Sequence, residues 1–394
     1  MALAAVLATT HAACSSDPTP PSVDRPLVQV DDVQSVSLGI EDVVDPEQDW
    51  DAVQERLDEA HVNAVTLAAG RVEFTAFDWS DHLDVAAEPG RDGLAHAIAG
   101  TAQGPGDEPR LVDLVIDTLI PNWILKDKTV AGVDTDGSFS RFSPSASAVH
   151  DGPVGKRYLA YMEELARRYE PDQITFTELK FDDETFGEDD AALYREMMGE
   201  DDWPRQPDGS IDEDAPSIGA WRSRVLADFL DRASAVLDDV GAETGKRPDL
   251  AMDAVINWDD PGAGLPAAGL SYDQLARHAD RLVLWLYLAS DQRRPEEIEP
   301  MTAALARSGI PTGRLTMSVG LWDHRAGPTG RISPQEMAAA ARAARAHGIK
   351  SVNVTPYTLM TAEHWSALSE VWTRRPATSL ATSEPSGSAP AVEP

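Results

Sequence analysis

The chain is 394 residues long and 42% hydrophobic, enough for one large domain or two of medium size. It carries 67 acidic residues against 33 Lys and Arg, a formal net charge of −34. That field repels polyanions, which excludes a nucleic-acid partner and any attachment to an anionic membrane surface by charge alone.

Residues 1–13 form a short apolar run ending in small residues, and the single cysteine of the chain, Cys14, follows it. One cysteine allows no internal disulfide. Ser15, Ser16 and a polar, Pro-rich stretch to Pro26 come next. This order resembles a bacterial lipoprotein signal, in which the Cys becomes the lipidated amino terminus after cleavage. It departs from that pattern at His11, where an aliphatic residue is usual, and in having no Lys or Arg before the apolar run. The resemblance implies an exported protein held to the extracytoplasmic face of the cell membrane through a lipid on Cys14, with residues 15–34 as a tether. No later segment approaches the ~20 apolar residues needed to span a bilayer.

From residue 35 a strand-like run and a helix-like run alternate. The strand candidates are 35–40, 64–68, 111–119, 173–179, 250–256, 282–288, 315–321 and 351–355, each a short apolar or β-branched run bounded by turn or charged residues. Amphipathic helices are expected at 49–60, 154–169, 218–240, 272–279, 295–308, 333–347 and 364–372, with a short one at 92–103. Residues 121–151 read as a long loop too polar to be core. Ser333 before Pro334 is placed as a helix cap, and Ser271 and Ser217 likewise; Gly309 and Gly348 are placed as stops. Eight β-then-α units imply a parallel sheet closed into a (β/α)8 TIM barrel over 35–375, with a disordered tail at 376–394. An open doubly wound sheet usually carries a Gly-rich phosphate turn after its first strand. Here that position reads Gly39-Ile40-Glu41-Asp42, which is acidic.

In such a barrel the chemistry lies where the strands end. Glu41 and Asp42 follow the first strand, and Arg71, Glu73, Asp78 and Trp79 the second. Asp117, Asn122 and Trp123 follow the third, and Asn257, Trp258, Asp259 and Asp260 the fifth. The sixth ends with Trp285, Tyr287 and Asp291, the seventh with Trp322, Asp323, His324 and Arg325, and the eighth with Tyr357. Five of the ten tryptophans thus fall at strand ends, with carboxylates beside most of them. Sugar rings stack their C–H faces on aromatic planes while their hydroxyls seek carboxylates and amides, so this mixture suits a carbohydrate. Trp79, Asp117, Trp123, Lys180, Asn257, Trp258, Trp285, Tyr287, Trp322 and Tyr357 are the candidate substrate-binding residues.

The fourth strand is the sharpest feature. It runs Ile174-Thr175-Phe176-Thr177-Glu178-Leu179-Lys180-Phe181-Asp182-Asp183-Glu184. Alternation places Ile174, Phe176, Glu178, Lys180 and Asp182 on one face. Glycosidic cleavage requires two carboxyl groups, a proton donor of raised pKa and an ionised partner. Glu178 is the candidate donor, with Asp182 or Asp183 tuning it, and Asp253, Asp259 and Asp323 are the candidates for the second carboxylate. The acidic run 182–190 does not match the spacing of an EF-hand loop. The nine His residues make no zinc motif, and no Gly-x-Ser-x-Gly elbow occurs. No metal and no cofactor are expected, and nothing in the pattern sets an oligomeric state.

A Glu closing the fourth strand of a (β/α)8 barrel is similar to the acid/base of the large retaining glycoside hydrolase clan. The run from Phe176 to Asp190, with Asp202-Trp203-Pro204-Arg205 and Ser217-Ile218-Gly219-Ala220-Trp221-Arg222, resembles exported glycoside-hydrolase-like lipoproteins. The clan has Asn immediately before its acid/base Glu, where this chain has Thr177, and a nucleophilic Glu ending the seventh strand, where this chain has Trp322-Asp323. The resemblance implies a cell-surface hydrolase acting on a polysaccharide or oligosaccharide. The alternative is a non-catalytic carbohydrate-binding or envelope-structural lipoprotein on the same scaffold. A lyase or deacetylase is a third possibility, and the lack of metal-ligand spacing argues against the deacetylase.

Overall fold

The computed structural model describes residues 28–29, 32–182, 184–327, 329–373 and 378–379. Eight parallel strands make the barrel wall: β1 (Gln34–Leu38), β2 (Ala64–Arg71), β3 (Leu111–Asp117), β4 (Gln173–Thr177), β5 (Asp249–Val255), β6 (Arg281–Leu286), β7 (Leu315–Gly320) and β8 (Ser351–Thr355). β8 pairs in parallel with β1, Asn353 opposite Ser35, which closes the ring. The fold is a (β/α)8 barrel, and all eight expected strands are present.

One face of the wall explains why these runs are strands. Val36, Leu67, Leu114, Phe176, Leu284 and Val354 alternate with inward residues and are fully buried beneath the surrounding helices. Those helices are α1 (Trp50–Glu59), α2 (Gly93–Thr101), α3 (Pro153–Tyr169), α4 (Pro216–Thr244), α5 (Tyr272–His278), α6 (Ile298–Arg307), α7 (Pro334–Ala344) and α8 (Ala362–Val371). Ser333 caps α7 in a reciprocal box with Glu336. Ser271 stands at the cap of α5 without a capping bond. Ser217 is not a cap: α4 begins at Pro216, and the Ser217 hydroxyl accepts from Tyr194. Gly309 and Gly348 follow α6 and α7 at φ +91° and +89°, a left-handed conformation that favours glycine.

Two excursions depart from expectation. Residues 121–151 are not a bare loop. They hold the short helix Pro121–Lys126, an antiparallel pairing of Ala131–Val133 with Phe139–Pro144, and the helix Ala146–His150, with Ile124, Val130 and Val149 buried. After β4 the chain forms the helix Glu188–Met198, and Phe186, Tyr194, Trp203 and Trp221 pack into one aromatic cluster, the Trp203 and Trp221 rings 5.3 Å apart. Trp203 and Trp221, the tryptophans of the motifs that carry the family resemblance, therefore hold the β4–α4 excursion together. Val28–Gln29 pairs antiparallel with Thr378–Ser379, and the Val28 amide donates to Asp172 at 2.8 Å; the rest of the expected tail lies outside the described residues. Cys14 and Asp183 lie outside the described residues.

Candidate active site

A cavity of about 430 Å3 opens at the carboxyl ends of the strands and is walled by all eight of them. Glu178 stands at its rim, immediately after β4. Its backbone is left-handed, φ +59°, a conformation rare for a non-glycine residue and found where the surrounding structure enforces it. The turn is held on both sides. The Lys180 amide donates to the Glu178 carbonyl at 3.0 Å, and the Phe181 amide to the Ala268 carbonyl at 2.9 Å. The expected alternation fails at this point. Ile174 and Phe176 point outward into the core, Gln173, Thr175 and Thr177 line the cavity, and the left-handed residue brings Glu178 to the same side as Thr177.

Carboxylates flank Glu178 on both neighbouring strands. Asp117 ends β3 opposite Thr177; it accepts from the Leu119 amide at 2.9 Å and meets Arg71 Nε at 3.3 Å. Asp253 on β5 is hydrogen-bonded by Thr177 and Trp285. Burial pushes the Asp253 carboxyl up to about 7 against those two bonds, and the nearby Asp113 and Glu178 push it further. Burial also raises Glu178, with Lys180 pulling it down and Asp117 and Asp182 pushing it up. Asp117 is raised by burial, opposed by the Leu119 amide and Arg71.

An aromatic wall faces these acids. Trp285 and Tyr287 stack with ring centroids 5.2 Å apart and 4° between planes, and Trp322 packs edge-on against Tyr287 at 5.1 Å. Gly320 makes this possible: a Cβ there would sit 2.3 Å from the Tyr287 ring.

No protein-family model matches the chain, and no curated protein matches it in sequence. In three dimensions it is similar to the PgaB (BpsB) glycoside hydrolase domain from Bordetella bronchiseptica, with TM-score 0.62 and 18% identity, covering 86% of this chain and 98% of that one. It is similar to the catalytic domain of beta-amylase from Paenibacillus polymyxa, with TM-score 0.56 and 14% identity, covering 87% and 98%. A catalytic mutant of a GH42 beta-galactosidase from G. stearothermophilus gives TM-score 0.62 and 12% identity, covering 88% of this chain and 57% of that one. The fold is glycoside-hydrolase-like.

The cavity gathers Glu178, Asp117, Asp253, Trp285, Tyr287 and Trp322 from the expected set, and none of its other described members. Asp259 is 95% exposed beside Arg293, and Asp323 is taken up by Arg325 at 2.7 Å. Asp182 pairs with Lys180 outside the cavity. Trp79 is core, and the Arg157 guanidinium lies over both Trp79 and Trp123, at 5.6 and 5.3 Å from their rings. Glu73 receives the Asn122 and Trp123 amides and so fixes that helix start. Asn257 organises its own loop, donating to the Gly264 carbonyl and accepting from the Asp259 and Asp260 amides. Trp258 donates to Asp291 at 2.9 Å beneath Arg293. Tyr357 is buried, its hydroxyl accepting from Arg56.

Sequence reasoning gives no role to Arg71, Asp113, Arg281 or Asn353, all of which line the cavity. Asp113 accepts from Thr175 at 2.8 Å, and burial pushes its carboxyl up to about 6. The signal for the last three was present: they sit mid-strand or at a strand start, where a parallel strand buried on both faces is normally apolar.

Proposed function

We propose that this chain is a glycoside hydrolase in which Glu178 donates the proton and Asp117 is the ionised partner. The observation that carries this reading is Glu178 itself, a half-buried acid held by a left-handed backbone at a cavity rim, flanked by Asp117 and Asp253 and facing Trp285, Tyr287 and Trp322.

Burial raises both carboxyls, and the division of labour rests on their neighbours, with Arg71 ion-paired to Asp117 at 3.3 Å. Burial raises the Glu178 carboxyl and so favours its neutral form, which delivers the proton to the leaving glycosidic oxygen as the bond to the ring carbon breaks. Arg71 beside Asp117 favours the carboxylate, which meets the positive charge developing on the sugar, directly or through a water. Water supplies the hydroxyl to the ring carbon, and its remaining proton restores Glu178. Asp253, its carboxyl pushed up to about 7 by burial, keeps a second negative charge away from the sugar ring.

Glu178→Gln is expected to leave fold and glycan binding intact while hydrolysis falls by roughly 10²–10⁴. Hydrolysis at the wild-type rate by that variant sinks the assignment. A second reading rests on the seventh strand, after which Trp322-Asp323 stands where the clan has its nucleophilic Glu, with Asp323 held by Arg325 at 2.7 Å. Glycan binding by the wild type without release of reducing ends decides for that reading, a carbohydrate-binding barrel. We further propose that the protein is displayed at the cell surface through a lipid on Cys14. Labelled palmitate should enter the membrane form of the wild type and not Cys14→Ala, and equal labelling of both removes the anchor.

A further inference from the structure

Beneath the rim the barrel is hollow. The interior of such a barrel is commonly filled by layers of bulky branched side chains. Here the cavity continues below Glu178 to Leu111 and Arg281, the first residues of β3 and β6, so it runs from mouth to floor. An eight-stranded barrel whose interior is not filled by its own side chains has room for one small ligand.

The lining fits one class of ligand. Hydroxyls and amides from Ser37, Thr66, Thr316 and Asn353 alternate around the wall with Ala64, Ala68, Val115 and Val283. A sugar ring offers the matching mixture of hydroxyls and C–H faces. Much of the wall is already paired. Ser35 and Ser37 both donate to Asn353 Oδ1, at 2.8 and 3.0 Å, and Asn353 donates to Ser318 at 2.8 Å. Thr316 lines the same wall, and its fully buried hydroxyl has no hydrogen-bond partner among the described residues. At the floor Arg281 Nη1 donates to the Gly313 carbonyl at 3.4 Å and to Ser351 at 3.2 Å.

The geometry points to a shaft that takes the terminal sugar of a glycan end-on, so that the enzyme works from a chain end. The reason is topological. Hydrogen-bonded strands surround the shaft completely, so no polymer can pass through sideways and only a terminus can descend. The inference rests on the hydrolase reading for its chemistry: the bond broken joins the terminal unit to the chain, water supplies the hydroxyl of the released sugar, and the proton from Glu178 ends on the leaving oxygen.

Saturation-transfer NMR on the Glu178→Gln protein, with linear gluco-, galacto- and N-acetylhexosamine oligosaccharides as probes, tests the shaft without needing turnover. The terminal unit is expected to saturate strongly and inner units weakly. Ala68→Leu fills the shaft without orphaning any hydrogen bond; placed in the wild type it should weaken kcat/KM by roughly ten- to a hundredfold. Filling a hollow should leave Tm equal or higher, so a loss of binding will not come from unfolding. Saturation spread evenly along the chain, binding by none of the probes, or an Ala68→Leu protein as active as the wild type overturns the inference. Terminal saturation without any release of reducing ends keeps the shaft and removes the hydrolase; products of random length do the reverse.

Discussion

The two faces of the barrel wall are built from the same strands and do opposite things. Outward, Val36, Leu67, Leu114, Phe176, Leu284 and Val354 are fully buried against helices. Each contributes on the order of 1.5–3 kcal/mol by leaving water. Inward, the same strands present Ser37, Thr66, Asp113, Thr175, Ser318 and Asn353. These groups add little net stability and must find partners, as Asp113 does with Thr175 and Asn353 with Ser318. Stability is thus concentrated on the outer face, which leaves the inner one free to be polar and hollow. Substitutions should separate the two faces cleanly.

The largest effect is expected outside. Phe176 packs between Tyr158 and Phe229, with ring centroids 6.5 and 5.2 Å away. Phe176→Ala should cost about 3–5 kcal/mol in urea unfolding while the folded fraction keeps its activity. Equal losses of stability and of activity per folded molecule would show that the faces are not separable.

The next effect is inside and depends on pH. Asp113 is 5% exposed, and its carboxyl lies near 6 in the fold against an ordinary value of 3.8. Its folded-state pKa is raised, so the fold favours the protonated form. That contribution is complete below about pH 4 and is lost as pH rises toward about 6, amounting to at most ~3 kcal/mol. Asp113→Asn should therefore gain on the wild type between pH 4 and 6 and then hold a constant advantage. Chemical denaturation at several pH values checks this, and a difference independent of pH refutes it.

The outer face was legible because burial on a helix-covered surface leaves an apolar residue at every second position, which marked all eight strands. Helix starts were legible where a side chain closes the cap, as at Ser333, and not where proline alone sets the start, as at Pro216. Glu178 was found by residue type and position, but its orientation was misread. Alternation assumes extended backbone, and nothing local announces a left-handed Glu. The hollow was visible in Gln34-Ser35-Val36-Ser37-Leu38 and Ser351-Val352-Asn353-Val354-Thr355, whose polar residues recur with period two. Residues such as Asp259, Asp323 and Trp258 were misplaced for a different reason. They follow strand ends in sequence, but their loops turn them toward Arg293, Arg325 and Asp291.

The smallest effect tests that last distinction. Trp285 and Trp258 both fall at the ends of barrel strands in the sequence, Trp285 within β6 and Trp258 after β5, yet only Trp285 lines the cavity, where it stacks on Tyr287 and bonds Asp253. Trp258 instead donates to Asp291 and packs under Arg293. Removing a sugar-stacking ring typically costs on the order of 1 kcal/mol or more, so Trp285→Ala should lower kcat/KM at least about fivefold. Trp258→Ala should change it by less than about twofold, because its partners lie outside the cavity and surface substitutions of this kind stay within about 0.5 kcal/mol. Comparable losses in the two variants would mean that the glycan extends beyond the mouth along the β5–α5 loop, and the boundary of the site would then lie at Arg293 rather than at Trp285.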